Sequence, residues 1–165
     1  MPKPKTARPG TLSIPSTSST AQIYATIRQA LLDHVGAQGE RLQDYVGAPP
    51  RVYVHSQPSP AVFPYLTLLL SRTAQAAFNG YRETAVLEVQ AIGKPESQLV
   101  TVESAMDVVD QCLLSLTANT TNGLMVCRAR TRDTIPLFTD PAESSVVGVV
   151  ARYDLYLWPN VLTSR

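Results

Sequence analysis

Charge is scarce in this chain. Asp, Glu, Lys and Arg make up 16% of its 165 residues, against 44% hydrophobic residues, where soluble domains average about 25% charged. Part of the surface is therefore expected to end against other protein rather than water. The charges nearly cancel, with 14 basic and 13 acidic residues for a formal +1. That balance excludes the broad single-signed field by which general nucleic-acid or membrane binders attract their partners. Cysteine is limited to Cys112 and Cys127, in apolar segments and in no CxxC pair, so both read as small hydrophobes in a reducing compartment. His34 and His55 are the only imidazoles; neither stands at motif spacing from Cys, Ser or paired carboxylates, and Asp33 with His34 reads as a helix-end pair. No run approaches the ~18 consecutive apolar residues of a membrane span. Lys3, Lys5 and Arg8 are not followed by the apolar segment of a signal peptide, and the expected setting is the cytosol or something assembled there.

A chain of this length is expected to form one domain, burying about 70% of the surface exposed when unfolded. Residues 1–18, with Pro2, Pro4, Pro9 and Pro15 among Ser, Thr and Lys, hold too little apolar surface to offset the entropy of ordering. They are expected to be a flexible arm before a single α+β domain over 19–165. Ser19 and Gln22 have the spacing of a capping box, opening a helix that buries Ile23, Ile27, Ala30 and Leu31, with Tyr24 beside them and Gly36 as its stop. Leu42, Tyr45 and Val46 suit a short helical turn ahead of Pro49 and Pro50.

Val52 to His55 alternates as a strand. Gln57-Pro58-Ser59-Pro60 must be a loop, since its prolines deny a ladder its donors, and the nearly continuous Leu and Thr run from Tyr65 to Ser71 reads as a central strand with both faces at least partly covered. Thr84 to Ile92 is a strand with Ala85, Leu87, Val89 and Ala91 inward, and Asn79-Gly80 between the two offers a tight hairpin turn. Gly93 ends that strand. Pro95 and Glu96 suit the first turn of a helix running to about Leu116, whose stripe of Leu99, Val102, Met106, Val109, Leu113 and Leu116 contributes on the order of 10 kcal/mol when docked. Asn119 to Gly123 reads as a turn, Leu124 to Arg130 as a strand and Thr131 to Ser144, with Pro136 and Pro141, as a long loop. Val146 to Trp158 completes the set, with Val147, Val149, Ala151, Tyr153, Leu155 and Leu157 on one face and Arg152, Asp154 and Tyr156 on the other. The expected fold is thus α+β in the order α-β-β-β-α-β-β, a mostly antiparallel sheet with helices packed on it.

The leading helix, the Val-Tyr-Val strand, the Pro58 to Pro64-Tyr65 corner, the hairpin, the step at Gly93-Lys94-Pro95-Glu96 and the ending Tyr153-Asp154-Leu155-Tyr156-Leu157-Trp158 together resemble the tail terminator, or tail completion, proteins of long-tailed bacteriophages. The likeness covers about Ser19 to Trp158. Ala91-Ile92 departs from it, since the family more often has an aromatic residue and Ser there, and the arm has no counterpart. The resemblance implies a non-enzymatic structural protein of the virion, at the head-proximal end of the tail. It implies a ring of six copies that ends tube polymerisation, with the tail tube protein on one face and a head connector or neck protein on the other. DNA passes through such a ring without sequence readout, and neither a cofactor nor a metal nor a membrane is called for. A closed ring needs two different complementary patches on each subunit, which agrees with the low charge content.

Several residues are candidates for those patches. Phe78, Asn79 and Tyr81 fall at a hairpin tip where burial within one subunit is hard, so they either anchor a partner or fold back on their own sheet. Arg128 and Arg130 share a strand face with Arg132 close behind. This strip faces an acidic neighbour, the lumen where DNA moves, or solvent with Glu83, Glu88 or Asp154 neutralising it. Ile135, Leu137 and Phe138 give apolar character to the loop that follows, whose Asp133, Asp140 and Glu143 match no calcium-loop spacing. Gly93-Lys94 is not a phosphate loop, because Pro95 stands where the hydroxyl belongs. A neck protein elsewhere in the virion, a nucleic-acid-binding module using the arginines, and an enzyme whose site forms only on oligomerisation are the competing readings; the last lacks any grouping of nucleophile, base and metal ligands.

Overall fold

The computed structural model describes residues 19–77, 80–94, 98–120, 123–137 and 146–159. Three helices lie on one six-stranded sheet. The chain order is α1 (Thr20–Asp33), α2 (Gln43–Val46), β1 (Val52–Val54), β2 (Tyr65–Ala77), β3 (Gly80–Gly93), α3 (Leu99–Leu114), β4 (Thr117–Thr120), β5 (Gly123–Leu137) and β6 (Val146–Pro159). Across the sheet the strands run β1-β2-β3-β6-β5-β4. Only β1 and β2 are parallel; all other neighbours are antiparallel. The α+β class and the mostly antiparallel sheet expected from the pattern are therefore what the chain forms.

The capping box is present. Gln22 N–H donates to the Ser19 hydroxyl at 3.2 Å, and Ser19 N–H donates to the Gln22 side chain at 2.8 Å, satisfying two of the donors that a helix start leaves open. Ile23, Tyr24, Ile27 and Leu31 are buried beneath it. They meet a core built from Leu66 and Leu68 of β2, Ala85, Leu87, Val89 and Ala91 of β3, and Val149, Ala151, Tyr153, Leu155 and Leu157 of β6. A smaller cluster of Tyr65, Ile92 and Val146, with Phe63 and Tyr53 against it, is where the proline corner closes on the sheet.

Four expectations are corrected. The long helix is described from Leu99, with Lys94 N–H donating to the Gln98 side chain at 2.7 Å, and the expected first turn at Pro95 and Glu96 lies outside the described residues. The helix ends at Leu114 because the Ser115 hydroxyl bonds back to the carbonyls of Gln111 and Cys112. Gly80 is a strand residue paired with Ala77 rather than part of a turn, so both arms of this hairpin are longer than the Leu-rich run. Thr117–Thr120 is an edge strand paired with Gly123–Val126. Finally, Thr131–Leu137 is the second half of β5 rather than loop, paired as far as Leu137 with Val146. Pro136 is tolerated there because β4 reaches only Val126, which leaves the remainder of β5 as an edge where prolines are accommodated.

The lengths of the layers differ. At about 3.4 Å per residue the 15 residues of β5 span roughly 50 Å, while the 16 residues of α3 span about 24 Å. β5 is thus about twice as long as α3.

Candidate interaction surfaces

The long strands set where side chains can be offered to a partner. On the face away from the helices, Arg152 of β6 and Glu88 of β3 are cross-strand neighbours joined by an ion pair of 2.8 Å, and Gln90 donates to the same carboxylate at 2.6 Å. Exposed Arg128 stands opposite Asp154 on that face. On the helix-covered face the core ends at Arg72, which is paired with Glu83 and donates to the Thr20 hydroxyl at 2.9 Å. Of the three carboxylates expected to balance the arginines, only Asp154 stands opposite them; Glu88 is engaged by Arg152 and Glu83 by Arg72.

The arginines do not form a simple two-residue repeat. The β5–β6 ladder shifts between Ala129 and Thr131, so Arg130 is the extra residue of a β-bulge. A bulge exchanges the faces of the residues that follow it. Arg132 accordingly stands opposite Ala151, whose side chain is buried on the helix-covered face, whereas Arg128 stands opposite Asp154 on the other. Tyr81 lies within β3, opposite Ala76. Ile135 and Leu137 lie within β5, opposite Gly148 and Val146. Phe78, Asn79 and Phe138 lie outside the described residues, as does the arm over 1–18.

Chemistry-bearing groups are dispersed or quenched. Burial pushes the Cys112 thiol up to about 11 and the Cys127 thiol up to about 12, the latter with smaller contributions from Cys112 and nearby carboxylates. Both are protonated at neutral pH and poorly suited to nucleophilic work. Tyr153, fully buried, donates its hydroxyl to Asp110 of α3. A polar cleft of about 530 Å³ is lined by Gln38, Glu40, Tyr45, Ser104, Asp107 and Gln111. Its Glu40 carboxyl is held below the usual range first by its own backbone N–H and then by Gln111. Among the described residues no group of three or more His, Cys, Asp or Glu could hold a metal ion, and no helix is long and apolar enough to cross a membrane.

No protein-family model matches the chain, and no curated protein sequence does. Solved structures do match. One is a chain in a structure described as the virion of a native gene transfer agent particle, with a TM-score of 0.66 at 15% identity, covering 84% of this chain and 98% of that one. At that identity the likeness is one of fold, and it extends over nearly the whole of the virion chain.

Proposed function

We propose that this protein is a structural subunit of a phage-like virion, a tail terminator that closes into a ring at the head-proximal end of the tail. The observation that carries the reading is the fold shared with a chain of a gene transfer agent virion over 98% of that chain's length. The sheet supports it, because the β2–β3 ribbon runs past its pairing with β6 and extends the sheet towards a neighbour. A ring requires that each subunit offer two unlike patches. The two sides of this sheet are unlike, with short β1 beside β2 on one and bulged β5 on the other. In this reading one face of the ring meets the tail tube protein, the other meets a head connector or neck protein, and DNA crosses the lumen through sequence-independent phosphate contacts at most. The work is done by shape-matched contact and no bond is broken.

Native mass spectrometry with negative-stain imaging tests this directly. Closed rings of six copies, which bind the ends of tail tubes and stop their growth, are the expected result. A strict monomer that leaves tube length unchanged at assembly-like concentration overturns the reading.

A further inference from the structure

Two features of opposite charge stand on opposite layers of the fold. The first is the polar cleft on the helix side. One of its walls, α3, carries Glu103, Asp107 and Asp110 and no basic residue. Gly36 leaves the space in which the Glu40 carboxylate lies. That carboxylate is fixed by Gln38 N–H at 2.9 Å and by the Gln111 side-chain amide at 3.1 Å, and Gln111 is itself anchored because its side-chain oxygen accepts from Ala37 N–H at 3.2 Å. Asp107 is exposed one turn before Gln111 and lines the same cleft with the hydroxyl-bearing Tyr45 and Ser104. The cleft thus offers two carboxylates, one of them held in place before anything binds, which spares part of the ordering cost of association.

The second feature is Arg128, on the sheet face away from the helices. It is exposed, and among the described residues the Glu88 carboxylate of that face is taken by Arg152 instead. Val126 and Tyr156, a cross-strand pair on the same face, are half-buried beside it. An arginine bordered by an aliphatic and an aromatic side chain has the composition of an interface anchor, and its planar fork of donors suits carboxylates.

The layers make any pairing of the two intermolecular. The helices pack on one face of the sheet, whereas Arg128 shares the other face with Asp154, so the sheet and the helix layer stand between the arginine and the cleft. Arg128 can therefore meet these carboxylates only on another copy. A contact of that kind joins two unlike patches head to tail and repeats from copy to copy.

We propose that Arg128 of one copy enters the Glu40–Asp107 cleft of the next. The proposal rests on the reading of this chain as a ring subunit and names the two patches which that reading requires. The test is charge reversal with rescue in the full chain: Arg128→Glu, Asp107→Arg and the two together, with self-association read by sedimentation velocity and native mass spectrometry and folding by the urea midpoint. Each single reversal sets like charges against each other and is expected to weaken association at least ~10-fold. The double variant restores opposite charges and is expected to return to within ~3-fold of the native chain. Where a reversal lowers the urea midpoint, Arg128→Gln and Asp107→Asn replace it, each expected to weaken association at least ~3-fold. Single variants that associate like the native chain overturn the pairing and leave the ring reading standing, as does a double variant no better than the singles. A native chain that stays monomeric also overturns it, and takes the ring reading with it when tube growth is unaffected.

Discussion

Tyr153 ties the two layers together by more than contact, because its hydroxyl crosses from β6 to the part-buried Asp110 carboxylate on α3. Hydrogen bonds to a charged group contribute about 1.5–3 kcal/mol. Tyr153→Phe is therefore expected to lower unfolding free energy by about 2 kcal/mol in urea titrations with the slope unchanged; a loss under ~0.5 kcal/mol shows the bond to be idle. The two thiols give a pH dependence of definite sign. Their folded values of about 11 and about 12 lie above the unfolded value of 9.0, so above pH 9 the unfolded state gives up protons that the folded state keeps. The stability they contribute is whole below pH 9 and is lost as pH rises through 11 to 12. Replacing both with Ala should flatten the fall in urea midpoint between pH 9 and 11 relative to the native chain. An identical slope in both proteins means that the thiols do not govern it. In the folded protein at pH 8, both should resist alkylation until denaturant is added.

The step from β3 to α3 is held by close approach. A Cβ on Gly93 meets Val102 Cγ1 at 2.9 Å and Gln98 Cβ at 3.0 Å, inside ordinary van der Waals contact. Gly93→Ala is expected to cost about 1–3 kcal/mol, read as a lowered urea midpoint; an unchanged midpoint means that α3 shifts freely on the sheet. This step was legible as a break at Gly93. Gln98 closing on Lys94 N–H is a side-chain choice that proline and acid preferences do not reveal. The capped α1, the inward stripe of β3 and the alternation along β6 could all be read, because each repeats over many residues and each faces one continuous core. β4 and the second half of β5 could not. Thr117–Thr120 is short and polar, and Thr131–Leu137 carries charges and a proline; both are strands because a neighbour supplies the ladder, a tertiary effect that outweighs local preference. The bulge that divides Arg128 from Arg132 is equally silent in the residues, since spacing alone presumes an unbroken pleat.

The molecule as a whole is one long sheet with helices packed on it, and among the described residues the β2–β3 ribbon extends furthest beyond its neighbours. Pairing of β3 with β6 begins at Glu83 opposite Leu157, so among the described residues Gly80 to Arg82 pair with β2 alone. A two-stranded ribbon is marginal in water when alone. Its main-chain pairing alone is then expected to add little to the stability of the subunit. Tyr81 lies in that ribbon and Phe78 follows Ala77 in the sequence, two aromatics of the kind that anchor interfaces. Replacing both with Ser is expected to leave the urea midpoint within the error of measurement, since the core lies between α1, α3 and the middle of the sheet, and, on the proposed tail-terminator role, to abolish the stopping of tube growth. Tube length measured by electron microscopy with native or variant protein decides between outcomes. Variant rings that still stop tubes at native length remove the tip from the docking surface. A midpoint that collapses with function instead assigns the two aromatics to the subunit's own packing.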